Sequence, residues 1–246
     1  MRAGERIPVI EGDCLQMLAA EVACARFARP RRVVSDTCWN GGFQIEAEAV
    51  ANHQMRPEEV QSAQAFQQYC RDLLGLHQLP ATTVLQLTAA RLLDGGLGRE
   101  DGGGFPVTAL VTAGVSHNAV WAGDAAGYEE VAAGEYQGWA PGTINSMIFI
   151  DADVACEAML HGFTVVAECK ADEILRRGIR SHYSDALATG TGTDTTTIVC
   201  NPFSLHKRAT ASTHSRLGMA IARAVRSALS QALAAGGQEM AAGGDV

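Results

Sequence analysis

Residues 188–194 read ATGTGTD, three threonines alternating with two glycines and ending on an aspartate. Nothing in that run can build a core. Gly190 and Gly192 free the backbone to turn tightly and expose N–H groups. With the hydroxyls of Thr189, Thr191 and Thr193, those groups can cradle an anionic or carbonyl oxygen. The alternative is a Ser/Thr turn whose hydroxyls satisfy its own backbone. A P-loop is excluded because GK[ST] is missing. A dinucleotide fingerprint is excluded because GxGxxG fails and no helix follows.

Other polar residues also sit where apolar ones are expected. In PGTIN (141–145), Thr143 and Asn145 are two apart and share one face of a strand. Burying Asn145 just before MIFI requires a hydrogen-bond partner from backbone, water or ligand. VTAGVSHNAVWAGD (111–124) is a strand running into a turn with Gly114, Ser116, His117, Asn118 and Asp124. Adjacent Ser and His side chains do not by themselves make a dyad, and a polar turn accounts for them equally. Lys170 falls on the apolar stripe of a helix, four residues after Val166 and four before Ile174. It either snorkels outward or is held by a partner. At about 100° per residue Glu168 points to roughly the opposite side, which argues against a direct Glu168–Lys170 bond. His53, His206 and His214 lack HExxH or other metal-ligand spacing, and no metal site is expected.

These positions must be held by regular elements. RIPVI (6–10), RRVVSD (31–36), TTVLQLTA (82–89), PVTALVTAGVS (106–116), PGTINSMIFID (141–151) and TTTIVC (195–200) read as strands, and MIFI has the wholly apolar character of a strand buried on both faces. Residues 56–76 read as a helix with Pro57 in its first turn and Gly75 near its end. Residues 154–177 give the clearest helix, with Met159, Phe163, Val166 and Ile174 on one stripe and Gly178 as C-cap. Residues 213–233 form an amphipathic helix whose arginines at 216, 223 and 226 leave a polar side. A glycine-rich loop is expected over 92–106, a solvated turn over RFARPRR (26–32), and a disordered tail over 236–246. The fold class expected is α/β or α+β, a single domain over 1–235 with a mixed sheet flanked by helices.

Composition narrows the function. The chain has 246 residues and a formal net charge of −8. That charge argues against a phosphate-tracking nucleic-acid binder. No apolar run approaches the ~20 residues of a membrane span. Seven cysteines at irregular spacing, without CxxC, fit reduced thiols in a cytoplasmic protein. The sequence leaves homo-oligomerisation open.

Taken together and in order, WNGGF (39–43), LVTAGVSHNAVWAGD (110–124), PGTIN, the Glu-Cys-Lys of residues 168–170, RSHYSDALATGTGTD (180–194) and HSRLG (214–218) resemble the adenosylcobinamide amidohydrolase family. This chain reads VSHN where that family usually reads VSN, and Cys169 and Asp185 are also departures. The resemblance implies hydrolysis of an amide of adenosylcobinamide, releasing aminopropanol and adenosylcobyric acid in corrinoid salvage. The corrinoid is then substrate, and no cofactor is expected. For such a reaction the residues suggest an oxyanion site on the Gly190–Thr193 backbone and hydroxyls with Asn145 in support. Glu168 or Asp194 would activate water, and Lys170 or His214 would protonate the amine or hold a carboxylate. A covalent route through Thr191 or Ser116 stays open. Asn40, Gly41, Gly42, Ser116, His117, Asn118, Thr143 and Thr189 complete the expected substrate contacts. The rivals are an amidase of another small molecule and a corrinoid carrier without chemistry. The carrier is disfavoured because the DxHxxG pattern is missing.

Overall fold

In the computed structural model, which describes residues 2, 4–56, 63–127 and 142–240, strand follows strand over the first part of the chain. These are β1 (Arg6–Ile10), β2 (Asp13–Ala19), β3 (Val22–Ser35) and β4 (Gly42–Gln54). Helix α1 (Ala63–Leu76) and β5 (Val84–Thr88) follow, then β6 (Gly96–Asp101), β7 (Pro106–Ala113) and the short β8 (Ala119–Val120). Then come β9 (Ile144–Ile150), β10 (Asp153–Val154), α2 (Cys156–Arg176), β11 (Gly190–Thr191), β12 (Thr195–Cys200), β13 (Lys207–Arg208) and α3 (Arg216–Ala235).

One mixed sheet runs β1-β2-β3-β12-β9-β7-β6, with β4 paired to β3 and β5 paired to β4. It is an α/β domain, not a doubly wound one. The sheet curls: β1 and β5 both lie over β9, and the Arg99 guanidinium of β6 donates to the Pro8 carbonyl of β1. Residues alternate between the two sides of its central strands, as pleating demands. Ile144, Ile148 and Ile150 face α2 and α3, whereas Met147 and Phe149 join Leu110, Val33, Val50 and Val199 inside the curl. This two-sided burial is why MIFI carries no polar residue.

The βαβ unit β9–α2–β12 sets the site. β9 and β12 pair in parallel, Asn145 opposite Thr195 and Ile150 opposite Cys200. Helix α2 returns antiparallel to them. Met159 meets Cys200 near its start, and Gly162 sits where a Cβ would come within 2.7 Å of Ile198. Gly178, with φ of +64°, ends the helix as the spacing predicted.

Three expectations change. Residues 92–106 are not simply a loop, because Gly96–Asp101 forms β6 under α3. Added Cβ atoms at Gly96 and Gly98 would come within 1.9 Å of the Ala228 and Ala224 carbonyls, so these glycines mark close helix–strand contact. RFARPRR is the middle of the long β3 rather than a solvated turn, and Arg31 is buried against Asp13 at 2.7 Å. The N-terminal antiparallel strands β2 and β4 carried too many polar residues to be recognised by alternation. Residues 57–62 of the expected first helix and 241–246 of the expected tail lie outside the described residues. Within the tail, Gln238 receives a hydrogen bond from Arg177 on its carbonyl.

Replacing Gly98 by valine drives a branched side chain into the Ala224 turn of α3 and should destabilise the fold by about 1–3 kcal/mol. A fall in the urea midpoint with unchanged slope checks this. An unchanged midpoint would mean α3 does not bear on β6.

Candidate functional site

The site grows from one carboxylate. Asp194, at the entrance to β12, shares the side of the sheet that faces α2, as the alternation with Thr196 and Ile198 requires. Its Oδ1 accepts from the Ile144 amide at 2.9 Å and the Thr191 hydroxyl at 2.5 Å. Its Oδ2 accepts from the Thr191 amide at 3.0 Å and the Lys170 ammonium at 2.6 Å. Lys170 therefore does not snorkel; a partner holds it. Its side chain is 20% exposed and that of Asp194 12%, so the pair lies at a half-buried mouth, not in the core.

The ATGTGTD run forms this anchor by pairing with VSHNAVW. Gly190 and Thr191 (β11) pair antiparallel with Val120 and Ala119 (β8). The Thr189 amide donates to the Val120 carbonyl at 2.9 Å, and the Gly192 amide to the Asn118 carbonyl at 3.3 Å. A Cβ at Gly190 would lie 2.6 Å from Asp194 Oδ2 and 3.4 Å from the Lys170 Cε. Gly190 is thus the gap through which carboxylate and ammonium meet. Within the expected Gly190–Thr193 cradle, the Thr191 amide is taken by Asp194 and the Gly192 amide by the Asn118 carbonyl.

A second carboxylate, not singled out in the sequence, joins the first. Asp36 follows β3, and its Oδ1 accepts from the Thr196 amide at 2.7 Å. Desolvation at the crowded mouth pushes its pKa up, although much of the residue's surface is exposed. The Thr196 amide and the Lys170 charge pull it down, and the Asp194 charge adds to the rise. Asp36 therefore feels both members of the Lys170–Asp194 pair. The sequence held one signal for it, an aspartate ending the strand-like run RRVVS.

Asn145 lies beneath the mouth on the other face of β9, fully buried. It donates to Asn52 Oδ1 at 3.0 Å and the Leu87 carbonyl at 2.9 Å, and accepts from Thr195 at 2.8 Å, with the Thr143 hydroxyl oxygen 3.2 Å away. Both amide protons and the carbonyl oxygen are thus engaged within the protein. The partner it required is the protein itself. Gln86, Ser35, Thr112 and Thr197 extend this polar layer across the curl. Thr143 also donates to the Thr193 carbonyl at 2.6 Å, and the Thr193 hydroxyl to the Gly142 carbonyl at 3.0 Å, fastening the loop to β9.

Other expected residues serve as supports. Asn118 is buried, donates to the Gly142 carbonyl at 2.9 Å and accepts from the Tyr183 hydroxyl at 2.9 Å. Thr189 accepts from the Ala122 amide at 2.9 Å. Asn40, with φ of +52°, donates to the Ala81 and Thr83 carbonyls, at 2.8 and 2.9 Å. Gly41 packs so closely on Thr37 that a Cβ would lie 1.9 Å from its carbonyl oxygen, while Gly42 takes φ of +80°. The NGG turn thus fixes the segment that carries Asp36. Ser116 and His117 are exposed on the loop leading to Asn118.

Two candidates are not brought to the mouth. Glu168 is exposed on α2, turned from Lys170 as the helical period implied. His214 is exposed just before α3. Arg216 lies against Gly103 and Gly236 near the Ala113 carbonyl, so α3 starts at the Pro106 end of β7 and finishes at the Ala113 end. Ala113 pairs with Ile144, at the Asp194 end. Seven residue steps, roughly 23 Å of strand, therefore separate the levels of His214 and Asp194. HSRLG is a helix start: Ser215 Oγ accepts from the Gly218 amide at 2.9 Å, and a Cβ at Gly218 would lie 2.0 Å from the Ser212 carbonyl oxygen.

Among the described residues, no three His, Cys, Asp or Glu side chains gather to hold a metal ion. Two cavities of about 460 and 400 Å³ lie elsewhere, around Arg32 and Lys207 and around Gln16 and Arg26.

A family model described as adenosylcobinamide amidohydrolase matches residues 10–241. An uncharacterized protein of Methanocaldococcus jannaschii is 28% identical over 218 residues, covering 84% of this chain and 83% of its own.

The Lys170 charge favours ionised Asp36, so Lys170→Gln should move the Asp36 pKa further upward. Carbon-detected NMR titration of the Asp36 carboxyl reads this directly. A downward move, or none, would place Asp36 outside the reach of Lys170.

Proposed function

Because the chain belongs to the adenosylcobinamide amidohydrolase family, we propose that it hydrolyses the aminopropanol amide of adenosylcobinamide, giving adenosylcobyric acid and the free amine in corrinoid salvage. The observation that carries this reading is the fixed Lys170–Asp194 pair beside a second carboxylate, Asp36, whose pKa is pushed up by desolvation.

The two carboxylates take different parts. Asp194 accepts four hydrogen bonds and has no vacant acceptor position for a water. It therefore orients Lys170 rather than serving as base. Asp36 has one oxygen tied to the Thr196 amide and is the base. It takes a proton from water as the water oxygen bonds to the amide carbon. The carbonyl π-electrons move onto oxygen, and the remaining Lys170 N–H donors face that developing charge. Asp36 then returns its proton to the departing nitrogen, the C–N bond breaks and the carbonyl reforms. The acid product ionises, and the amine leaves. A raised pKa suits a group that must both accept and return a proton. Thr191, its hydroxyl already donating to Asp194, holds the loop and is not the nucleophile. Among the described residues no helix is long and apolar enough to cross a membrane.

Asp36→Asn should lower kcat by about 10²–10⁴-fold, the usual range for loss of a general base. Lys170→Gln should give a comparable fall, while Glu168→Gln and His214→Gln should stay near wild type. Aminopropanol release from adenosylcobinamide, followed by mass spectrometry, measures all four. Wild-type protein that binds the corrinoid without releasing amine would overturn the reaction, and full activity in Asp36→Asn would overturn the mechanism.

A further inference from the structure

Two exposed aromatic rings flank the β8–β11 ribbon, and the mechanism uses neither. Trp121 directly follows β8 and is 42% exposed; Tyr183 is 52% exposed. Both are fastened at their backbones or tips. The Trp121 amide donates to Asp124 Oδ2 at 2.9 Å, and Asp124 accepts from Ser181 Oγ on the same oxygen at 2.5 Å. The indole lies on Gly123, where a Cβ would come within 2.7 Å of the ring, and the φ of +138° there admits glycine readily. Tyr183 anchors its hydroxyl on Asn118, the residue that also receives the Gly192 amide, while the His182 amide donates to the Ala119 carbonyl at 2.9 Å. Neither ring stacks on another aromatic ring among the described residues. Half-exposed aromatics held at backbone or tip are suited to a flat partner, because little side-chain entropy is lost on contact.

Their position says which partner. Ala119 pairs with Thr191, and only two residues of chain, roughly 7 Å, separate Ala119 from Trp121. A ligand whose amide sits at Lys170 reaches Trp121 by extending along β8 past Ala119. Adenosylcobinamide carries one aromatic base, the adenine of its adenosyl group, attached to a macrocycle that spans such a gap.

We infer that Trp121, with Tyr183 beside it, forms the subsite that stacks the adenine of the substrate's adenosyl group, an assignment that rests on the corrinoid reading of the neighbouring mouth. The ring selects adenosylated corrinoid through stacking, while the Lys170–Asp194 pair and Asp36 act on the amide whatever the upper ligand is.

The test uses 5′-deoxyadenosine and the full-length chain. Saturation-transfer NMR should show contact with the adenine protons in wild type and in Trp121→Phe, and none in Trp121→Ala. Steady-state kinetics supply the second reading. Trp121→Ala should raise KM for adenosylcobinamide about tenfold, the size of one lost base–aromatic stack, with kcat held. KM for cobinamide bearing cyanide in place of adenosyl should not change. Equal loss on both corrinoids, or undiminished 5′-deoxyadenosine contact in Trp121→Ala, would overturn the subsite. Binding of 5′-deoxyadenosine by Trp121 without amine release from any corrinoid would leave the subsite standing and remove the hydrolase reading instead.

Discussion

The carboxylate of Asp194 is the constraint from which the rest of the mouth follows. It gathers a backbone amide of β9, an amide and a hydroxyl of the threonine–glycine loop, and an ammonium from α2. Those groups come from three segments far apart in the chain, and each is polar at a place where desolvation is costly. A half-buried carboxylate with four donors stays put, because tilting it toward one donor weakens the others. Lys170 inherits that fixity. Its flexible four-carbon stem would otherwise sample many rotamers, and an ammonium that must be gathered at each turnover is a poor electrostatic catalyst.

The sheet topology makes the meeting possible at modest strain. Gly162 lies against Ile198, and Lys170 meets Asp194. Eight residues of helix rise about 12 Å, and the four residues of β12 between Ile198 and Asp194 span about 13 Å. The two elements therefore stay in step from their packed contact to the ion pair. Parallel pairing of β9 with β12 puts Ile144 level with the same end, so the Ile144 amide, lying beyond the last ladder bond, is free to donate to Asp194. Asp36 arrives from the antiparallel neighbour β3, whose Ser35 pairs with Thr197. A helix one turn shorter after Gly162 would leave the ammonium about 5 Å from its partner.

Much of this was legible before any coordinates. The strands at 84–88, 106–113, 144–150 and 195–200 and helices α2 and α3 follow from period and apolar runs. Lys170 stood out because it broke a stripe, and Asn145 because it preceded a buried run. Three things were hidden. The N-terminal strands alternate weakly, since Arg31 and Asp13 pair inside while Phe43 and Ile45 lie outside. The glycines of β6 read as loop because the helix they admit is more than a hundred residues away in sequence. Asp36 was hidden because its importance lies in Lys170 and Asp194, which no local pattern connects to it. The sequence also grouped Glu168 and His214 with residues that lie apart from them, since a motif shows which residues recur together and not which of them face the same solvent.

That last difference bears on how the recognisable motifs divide their labour. Gly190 makes room for an ion pair, Gly218 for a helix cap, Asn40 for a turn, and Asn118 and Asn145 for hydrogen-bond junctions. All are specific, and none needs to touch a substrate. Asn145 shows why such residues still matter to chemistry. Both polar atoms of its side chain are paired within the protein, so the asparagine has no incentive to rearrange when a ligand brings charge above it. The groups at the mouth with capacity left are the N–H donors of Lys170 that Asp194 does not use and the second oxygen of Asp36. A hydrogen-bonded floor under a small number of incompletely satisfied groups is the arrangement that lets a fixed field act on a bond with little reorganisation.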